Sequence, residues 1–219
     1  MQSPLLSGPG ALAFDHLGNL YACGGNNLNV LKVSPGGSIS VFAPSSLFTA
    51  SSWNMAGLAV DSLNNLYVST WDDHTILKIT PAGSSSLFYA GGASIITSGL
   101  AVDSQDNVYS ATFGNKIVKV TPKGVASTLL EGGGLQGTYG LTIDEGGNLF
   151  GANYPWQANN TIIKVTPVGS ASIYASGVGG NGGGLTYIAT IPEPSTYTLL
   201  LLSGAVLLFS RRRRIHAAV

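Results

Sequence analysis

The sequence predicts an all-β fold built from about four repeated sheets of four short strands each. A segment of the type Gly-Leu-Ala-Val-Asp-x-x-x-Asn-Leu-Tyr occurs four times, and its aspartates lie 46, 42 and 41 residues apart, at Asp15, Asp61, Asp103 and Asp144. A period of 40 to 45 residues is typical of one blade of a β-propeller. Residues 1–190 contain no run with a helical period of apolar residues, which favours strands throughout.

Each unit divides into four apolar runs separated by turn residues. The Asp-x-x-x-Asn segment predicts the first turn, because an aspartate carboxylate accepts backbone N–H groups and Asn or Gly adopts left-handed conformations. The third run carries one lysine between apolar neighbours and ends in Ser-Pro or Thr-Pro; these lysines are Lys32, Lys78, Lys119 and Lys164. Because alternate side chains of a strand face opposite sides, we expect these lysines to point away from the core. The fourth runs are 39–42, 87–89, 128–130 and 172–174.

A single four-stranded sheet cannot bury both faces, so the units are expected to stack around an axis as blades. Gly57, Gly99 and Gly140 precede the first strand and are predicted to lie where the chain enters the crowded centre. Strand-like segments at 3–6 and 184–189 flank the four units. They leave two alternatives open: the extra strands help to close a ring, or the units form an open fragment of a larger propeller.

The repeated unit resembles the NHL repeat and the related propellers of the gluconolactonase type, over roughly residues 8–190. Such propellers usually have six blades, so the resemblance implies the fold class but leaves the blade count unmatched. It does not imply one function, because propellers serve many functions.

Residues 191–219 differ from the repeats. Pro192, Glu193 and Pro194 precede an apolar run at 197–209, and Arg211, Arg212, Arg213 and Arg214 follow it. This order resembles the PEP-CTERM sorting signal. The resemblance implies cleavage by a membrane exosortase and delivery to the cell surface or extracellular matrix of a Gram-negative bacterium. It divides the chain into a repeat body (1–190), a sorting signal with a transmembrane helix (191–214) and a cytoplasmic end (215–219). A plain tail anchor, or a helix docked on the repeats, is the alternative.

The charge distribution argues against a nucleic-acid partner. Residues 1–190 contain six lysines and nine acidic residues, so the body carries a formal charge of −3 and offers no basic face to phosphates. The arginines at 211–214 flank the predicted transmembrane helix and are expected on the cytoplasmic side of the membrane. Met1 begins a segment without the basic and apolar regions of a signal peptide, which predicts that the true N-terminus lies upstream or that the start is misassigned.

One turn between the predicted second and third strands carries a cluster of polar and aromatic residues: Trp71, Asp72, Asp73 and His74. The corresponding loop of the fourth unit contains Tyr154 and Trp156. The favoured interpretation is a solvated turn with a half-buried tryptophan. The functional alternative is a metal site or a sugar-binding rim made of the two aromatic loops, since aromatic faces stack on the C–H surfaces of sugars.

No catalytic constellation, cofactor or metal site is predicted. Calcium requires six to eight converging oxygens, whereas the repeated aspartates each occupy a separate turn. The gluconolactonase resemblance implies a Glu, Asn and Asp set around a metal, and none of Glu131, Glu145 and Glu193 matches its glutamate. We therefore expect an exported propeller that interacts with exopolysaccharide or another surface protein. The rival hypothesis is a gluconolactonase- or lyase-like metal-dependent enzyme that uses the propeller channel.

Overall fold

The structure is a computed structural model that describes residues 10–23, 29–48, 55–71, 73–92, 97–112, 114–153 and 161–177. Within these ranges it contains strands and one short 3-10 turn at Ser45–Leu47. The strands are β1 (Ala11–Phe14), β2 (Leu20–Cys23), β3 (Val30–Val33), β4 (Ile39–Ala43), β5 (Met55–Val60), β6 (Leu66–Thr70), β7 (Thr75–Ile79), β8 (Ser85–Ala90), β9 (Thr97–Val102), β10 (Val108–Thr112), β11 (Lys116–Val120), β12 (Ala126–Glu131), β13 (Thr138–Ile143), β14 (Leu149–Asn153), β15 (Thr161–Val165) and β16 (Ala171–Ser176).

The strands form four separate antiparallel sheets, each an up-and-down meander of four consecutive strands. Blade one is β1–β4, blade two β5–β8, blade three β9–β12 and blade four β13–β16. This confirms the predicted all-β architecture of four propeller blades. The segments 3–6 and 184–189, and the expected C-terminal helix, lie outside the described residues.

The turn between the first and second strands is built around the repeated aspartate. In blade two, Asp61 Oδ1 accepts the backbone N–H groups of Leu63 and Asn65, at 3.0 and 2.8 Å. The Asn65 side chain donates to the same carboxylate, and the Tyr67 hydroxyl donates to Oδ2 at 3.1 Å. The same tyrosine contact occurs in blades one and three, whereas Phe150 replaces the tyrosine in blade four. The turn residue before each asparagine has a positive φ; these residues are Gly18, Asn64, Asp106 and Gly147.

Alternation predicted that the lysine of the third strand points away from the packed interior. The structure shows that it does not. Lys78 lies directly across from Tyr67, and its Nζ is 5.3 Å from the centre of the buried tyrosine ring. It also lies 3.4 Å from Asp61 Oδ2. The prediction was wrong because both faces of a blade are packed: the side opposite Leu77 and Ile79 is an aromatic layer, over which the lysine stem lies. The other three blades repeat this cation–ring contact.

The fourth strands of blades one, two and four place a further aromatic ring in this layer, whereas blade three has Leu129 at the same position. Each contains a β-bulge opposite the third strand, between Ile76 and Leu77 in blade two. Bulges redirect a side chain, and the ring of Phe88 at this bulge makes an edge contact with Tyr67, with centroids 4.8 Å apart. Blades one and four have the same arrangement, with Phe42 on Tyr21 and Tyr174 on Phe150.

Consecutive blades pack through two different faces. We call the side that carries the second-strand aromatic the tyrosine face, and the side that carries the first-strand leucine the leucine face. Three buried clusters join the tyrosine face of one blade to the leucine face of the next. In the cluster between blades two and three, for example, Tyr67 and Ile76 pack with Leu100 and Val108. The apolar side chains of the repeat therefore form the interior between consecutive blades.

At the centre, the first strands approach one another closely. A Cβ at Gly57 would lie 2.6 Å from the Ser98 carbonyl oxygen, and one at Gly99 would lie 2.5 Å from the Leu141 nitrogen. Hydrogen bonds cross the same contacts, because Ser69 Oγ donates to Ser98 O and Ser98 Oγ donates to Tyr139 O. The predicted crowding is thus confirmed for Gly57 and Gly99 and stays a prediction for Gly140.

The aspartate turns make the stability of the protein sensitive to acid. Burial would raise the pKa of these carboxyls, but hydrogen bonds from the following asparagine and backbone outweigh it, and the pKa of each aspartate is lowered. A lowered pKa in the folded state stabilises the fold above the unfolded pKa of about 4, and this stabilisation is lost as the pH falls through the folded pKa. We expect the urea midpoint to be nearly constant from pH 7 to 5 and to fall below about pH 4. Asp61→Asn, which removes one such group, should show a shallower acid dependence; equal slopes would contradict this account.

Candidate binding rim

Trp71 and His74 lie at the edge of the blades opposite the aspartate turns. β6 begins after the aspartate turn of blade two and ends at Thr70, and residues 71–74 connect it to β7. Trp71, Asp73 and His74 are all half-buried in this connection. Asp72 and the other two predicted residues, Tyr154 and Trp156, lie outside the described residues. The structure therefore locates half of the predicted ligand-binding set.

Trp71 contacts an aromatic residue of a non-adjacent blade. Its ring lies 5.6 Å from that of Tyr139 at an interplanar angle of 50°. Tyr139 belongs to β13, the first strand of blade four, whereas Trp71 follows the second strand of blade two. The two rings therefore meet although their blades, two and four, are separated in the chain by blade three. We call Trp71, Asp73, His74 and Tyr139 the binding rim.

Sequence reasoning did not select Tyr139, although the repeat contains a signal for it. The residue directly before the central glycine is Ala56 in unit two and Ser98 in unit three, but it is Tyr139 in unit four. Tyr139 is thus a large aromatic side chain at a position that small residues hold in the other two units. Comparing the repeats position by position would have revealed it.

The loop that leads into Tyr139 is held by a buried amide. Asn153 Oδ1 accepts the Gln136 N–H and the Thr138 hydroxyl, both at 2.9 Å. Its Nδ2 donates to the Gly134 carbonyl at 2.8 Å and to Thr161 Oγ1 at 2.9 Å. Asn153 is 4% exposed, so these four bonds occur largely away from water. Because every polar function of the amide is used, the loop presents Tyr139 in one defined position.

His74 differs from its counterpart in blade three. Both His74 and Asn115 have a positive φ, and the carbonyl of each accepts an N–H from the end of the fourth strand. Asn115 also uses its side chain, whose Oδ1 accepts the Gly137 N–H at 2.9 Å. In His74 the ring Nδ1 is buried, and no residue that the structure describes gives it a hydrogen-bond partner. A buried polar atom without a partner costs folding free energy.

The cysteine thiol is part of the packed interior, and the metal-ligating residue types are dispersed. Cys23 is fully buried, and burial raises the pKa of its thiol to about 12. Within the described ranges, no three His, Cys, Asp or Glu side chains are grouped so that they could hold a metal ion.

The C-terminal region of the chain matches a family model. Residues 190–214 match the family model described as the PEP-CTERM protein-sorting motif. This chain carries a PEP-CTERM sorting signal. The match includes Pro192, Glu193, Pro194 and the cluster Arg211–Arg214, and it confirms the predicted resemblance. The signal implies export, a membrane-anchored precursor, processing by an exosortase and a location at the surface of a Gram-negative bacterium.

Solved structures similar to this chain are of the propeller type. A streptogramin B lyase has a TM-score of 0.63 and 19% identity, over 74% of this chain and 53% of the lyase. A catalytically inactive virginiamycin B lyase from Staphylococcus aureus with quinupristin has a TM-score of 0.62 and 14% identity, over 76% and 55%. A nidogen/laminin complex has a TM-score of 0.64 and 18% identity, over 77% and 65%. At these identities the likeness shows the fold alone.

The chain spans about half to two thirds of the length of these structures. Comparison with curated proteins gave no match. Among the residues that the structure describes, no helix is long and apolar enough to cross a membrane.

Proposed function

We propose that this chain is a surface-associated propeller that binds a neutral exopolysaccharide at the binding rim. The observation that carries the proposal is the Trp71–Tyr139 pair, which places two aromatic rings from different blades together at one edge. Aromatic rings with a polar edge are common anchors of recognition surfaces. Asp73 and His74, both half-buried in the same connection as Trp71, add polar groups to the rim.

The charge of the body favours a neutral polymer. Six lysines against nine acidic residues in 1–190 leave it mildly acidic, and this repels a polyanion. The lysines Lys32, Lys78, Lys119 and Lys164 lie over aromatic rings within the blades, where they are partly engaged. Acidic polysaccharides are therefore poorer candidates than neutral ones.

The remaining predicted ligand residues are proposed to extend the same rim. Residues 154–160 follow β14 and precede β15 in the chain, just as residues 71–74 follow β6 and precede β7, and this equivalence within the repeat supports a shared rim. Tyr154 and Trp156 would then enlarge the aromatic surface, and Asp72 would add a hydroxyl acceptor. The body at 1–190 would bind the polymer, while the signal at 191–214 would hold the precursor in the inner membrane through residues 197–209. The end at 215–219 would stay cytoplasmic until an exosortase releases the body to the surface or matrix.

Trp71→Ala tests the binding proposal. The full chain, kept in a detergent without a sugar headgroup, is applied to an array of neutral gluco-, manno- and galacto-oligosaccharides with hyaluronate as an acidic comparison. We expect binding to a neutral glycan and a loss of affinity of about 10-fold or more in the variant, because an aromatic anchor contributes on the order of 2 kcal/mol. Leu63→Ala, an exposed residue of the opposite edge, is the matched control and should bind as the parent does. Equal affinities of Trp71→Ala and the parent would refute the rim as the site.

The enzyme hypothesis rests on the gluconolactonase resemblance of the repeat and on the fold likeness to lyases. That likeness is at 14–19% identity, which does not transfer an activity. Stoichiometric binding of a divalent metal by the full chain, abolished by replacing carboxylates that face the centre, would favour the enzyme instead.

A further inference from the structure

Residues 132–137 form a glycine-rich loop that leads from blade three into β13 and ends two residues before Tyr139. Four of its six residues have a positive φ, and all four are glycines: Gly132, Gly133, Gly134 and Gly137. At Gly133 a Cβ would also lie 3.0 Å from the Cβ of Ala171, so the loop passes close to blade four. Glycine loses more conformational freedom on ordering than any other residue. A loop of this composition therefore needs other groups to hold it in one path.

The loop is held by one apolar anchor and by two asparagines from different blades. Leu135, in the middle of the loop, is 2% exposed and belongs to the buried cluster that joins blades three and four. Asn115 of blade three holds both ends, because its carbonyl oxygen accepts the Gly132 N–H and its Oδ1 accepts the Gly137 N–H, each at 2.9 Å. Asn153 of blade four holds the middle through both functions of its buried amide. We call Asn115 and Asn153 the asparagine clamp.

The repeat shows that Asn153 does more than close its own blade. Its counterparts at the end of the second strand are Thr70 in blade two and Thr112 in blade three. Each of the three side chains bonds to the first residue of the third strand of its own blade. A threonine is therefore sufficient to join the second and third strands. The bonds of Asn153 to the loop before Tyr139 come from its longer amide side chain.

We propose that Asn115 and Asn153 are positioning residues for the binding rim, which hold residues 132–138 so that Tyr139 meets Trp71 before a ligand arrives. This inference rests on the proposed function of the rim as a glycan site. A loop that is already ordered does not have to be immobilised when the ligand binds, and this lowers the cost of binding. The clamp thus raises the affinity for a neutral glycan without contacting the sugar, and it makes blade three a contributor to a rim whose rings come from blades two and four.

Hydrogen exchange of the full chain tests the clamp itself. Asn115→Gly removes one side-chain bond and introduces a residue that tolerates the φ of 60° at this position. Asn153→Thr introduces the residue that blades two and three carry at the equivalent position. In either variant we expect the peptide that spans 131–139 to exchange about 10-fold faster or more than in the parent, because its amides lose their acceptors.

Asn64→Gly is the matched control for Asn115→Gly. Asn64 also has a positive φ, of 61°, and its Oδ1 also accepts a backbone N–H of a neighbouring blade, at 2.9 Å. This bond lies among the aspartate turns, at the opposite edge of the blades from the rim. The control should therefore exchange as the parent does over residues 131–139.

Glycan binding separates a positioning role from a purely structural one. For the neutral glycan that the parent selects from the array, we expect the affinity to fall about 3- to 10-fold in Asn115→Gly and Asn153→Thr. Saturating glycan should restore the exchange protection of 131–139 in both variants and change it little in the parent, whose loop is already held. With a purely structural role, the glycan would leave the exchange of the variants unchanged.

The outcomes distinguish this inference from the proposed function on which it rests. Unchanged exchange in both clamp variants, or parental glycan affinity in variants that have lost protection, would overturn the positioning role. If Trp71→Ala still lost binding in that case, the proposed function would stand. A parent that bound no neutral glycan would overturn the proposed function and the positioning role together.

Discussion

Gly99→Ala is expected to lower the free energy of unfolding by about 3 kcal/mol or more, because its Cβ would meet backbone atoms of the next blade. A Cβ at this position would lie 2.5 Å from the Leu141 nitrogen and 2.7 Å from the Tyr139 carbonyl oxygen. Backbone atoms cannot rotate away as a flexible side chain can, so the first strands of blades three and four must separate. That separation would also strain the Ser98 Oγ hydrogen bond to Tyr139 O, which is 2.8 Å long.

Urea unfolding of the purified full chain measures this effect as a lower midpoint. Gly36→Ala is the matched control, since the nearest atom to its Cβ would be Ser34 Oγ at 3.9 Å and its φ is not positive. The control should unfold within about 0.5 kcal/mol of the parent. If the two variants had the same midpoint, the close approach of the first strands would be refuted.

Asp61→Ala is expected to destabilise the fold by about 3 kcal/mol, since one carboxylate organises the whole turn of blade two. The side chain is 2% exposed and receives bonds from Leu63, Asn65 and Tyr67, with Lys78 at 3.4 Å. Its removal leaves the tyrosine hydroxyl and the lysine without their buried partner. Desolvated donors that lose an ionised acceptor account for most of the cost.

Asp144→Ala provides a comparison within the same chain. Its carboxylate bonds to Asn148 but has no tyrosine hydroxyl, because Phe150 occupies that position. We expect a loss of about 1 kcal/mol for this variant, measured by the same urea unfolding. Equal losses at Asp61 and Asp144 would show that the tyrosine and lysine contacts contribute nothing to the turn.

The repeat predicted the local structure well because each strand and turn depends on neighbouring residues. The aspartate turn requires only an acceptor at Asp61 and a residue such as Asn64 that tolerates a positive φ, and both are visible in the sequence. The position of Lys78 was predicted wrongly, because alternation identifies two faces of a strand but not that both are packed. Whether a face is covered depends on the neighbouring blade.

The binding rim was only partly predictable for a related reason. Trp71 was noticeable as an aromatic residue in a turn, whereas its contact with Tyr139 joins positions 68 residues apart on two non-adjacent blades. No local pattern connects two such residues. Asn153, which holds the loop before Tyr139, is a fully bonded buried amide at the end of β14, a role that no local pattern in the sequence indicates.

The sequence by itself determined the four-fold repeat, the aspartate turns, the central glycines and the sorting signal, since each is written in residues close together in the chain. Only the tertiary structure decided which faces are covered, where the lysines lie and which aromatics meet at the rim. The physical reason is that burial of a face depends on the blade packed against it, and that the Trp71–Tyr139 contact joins two non-adjacent blades.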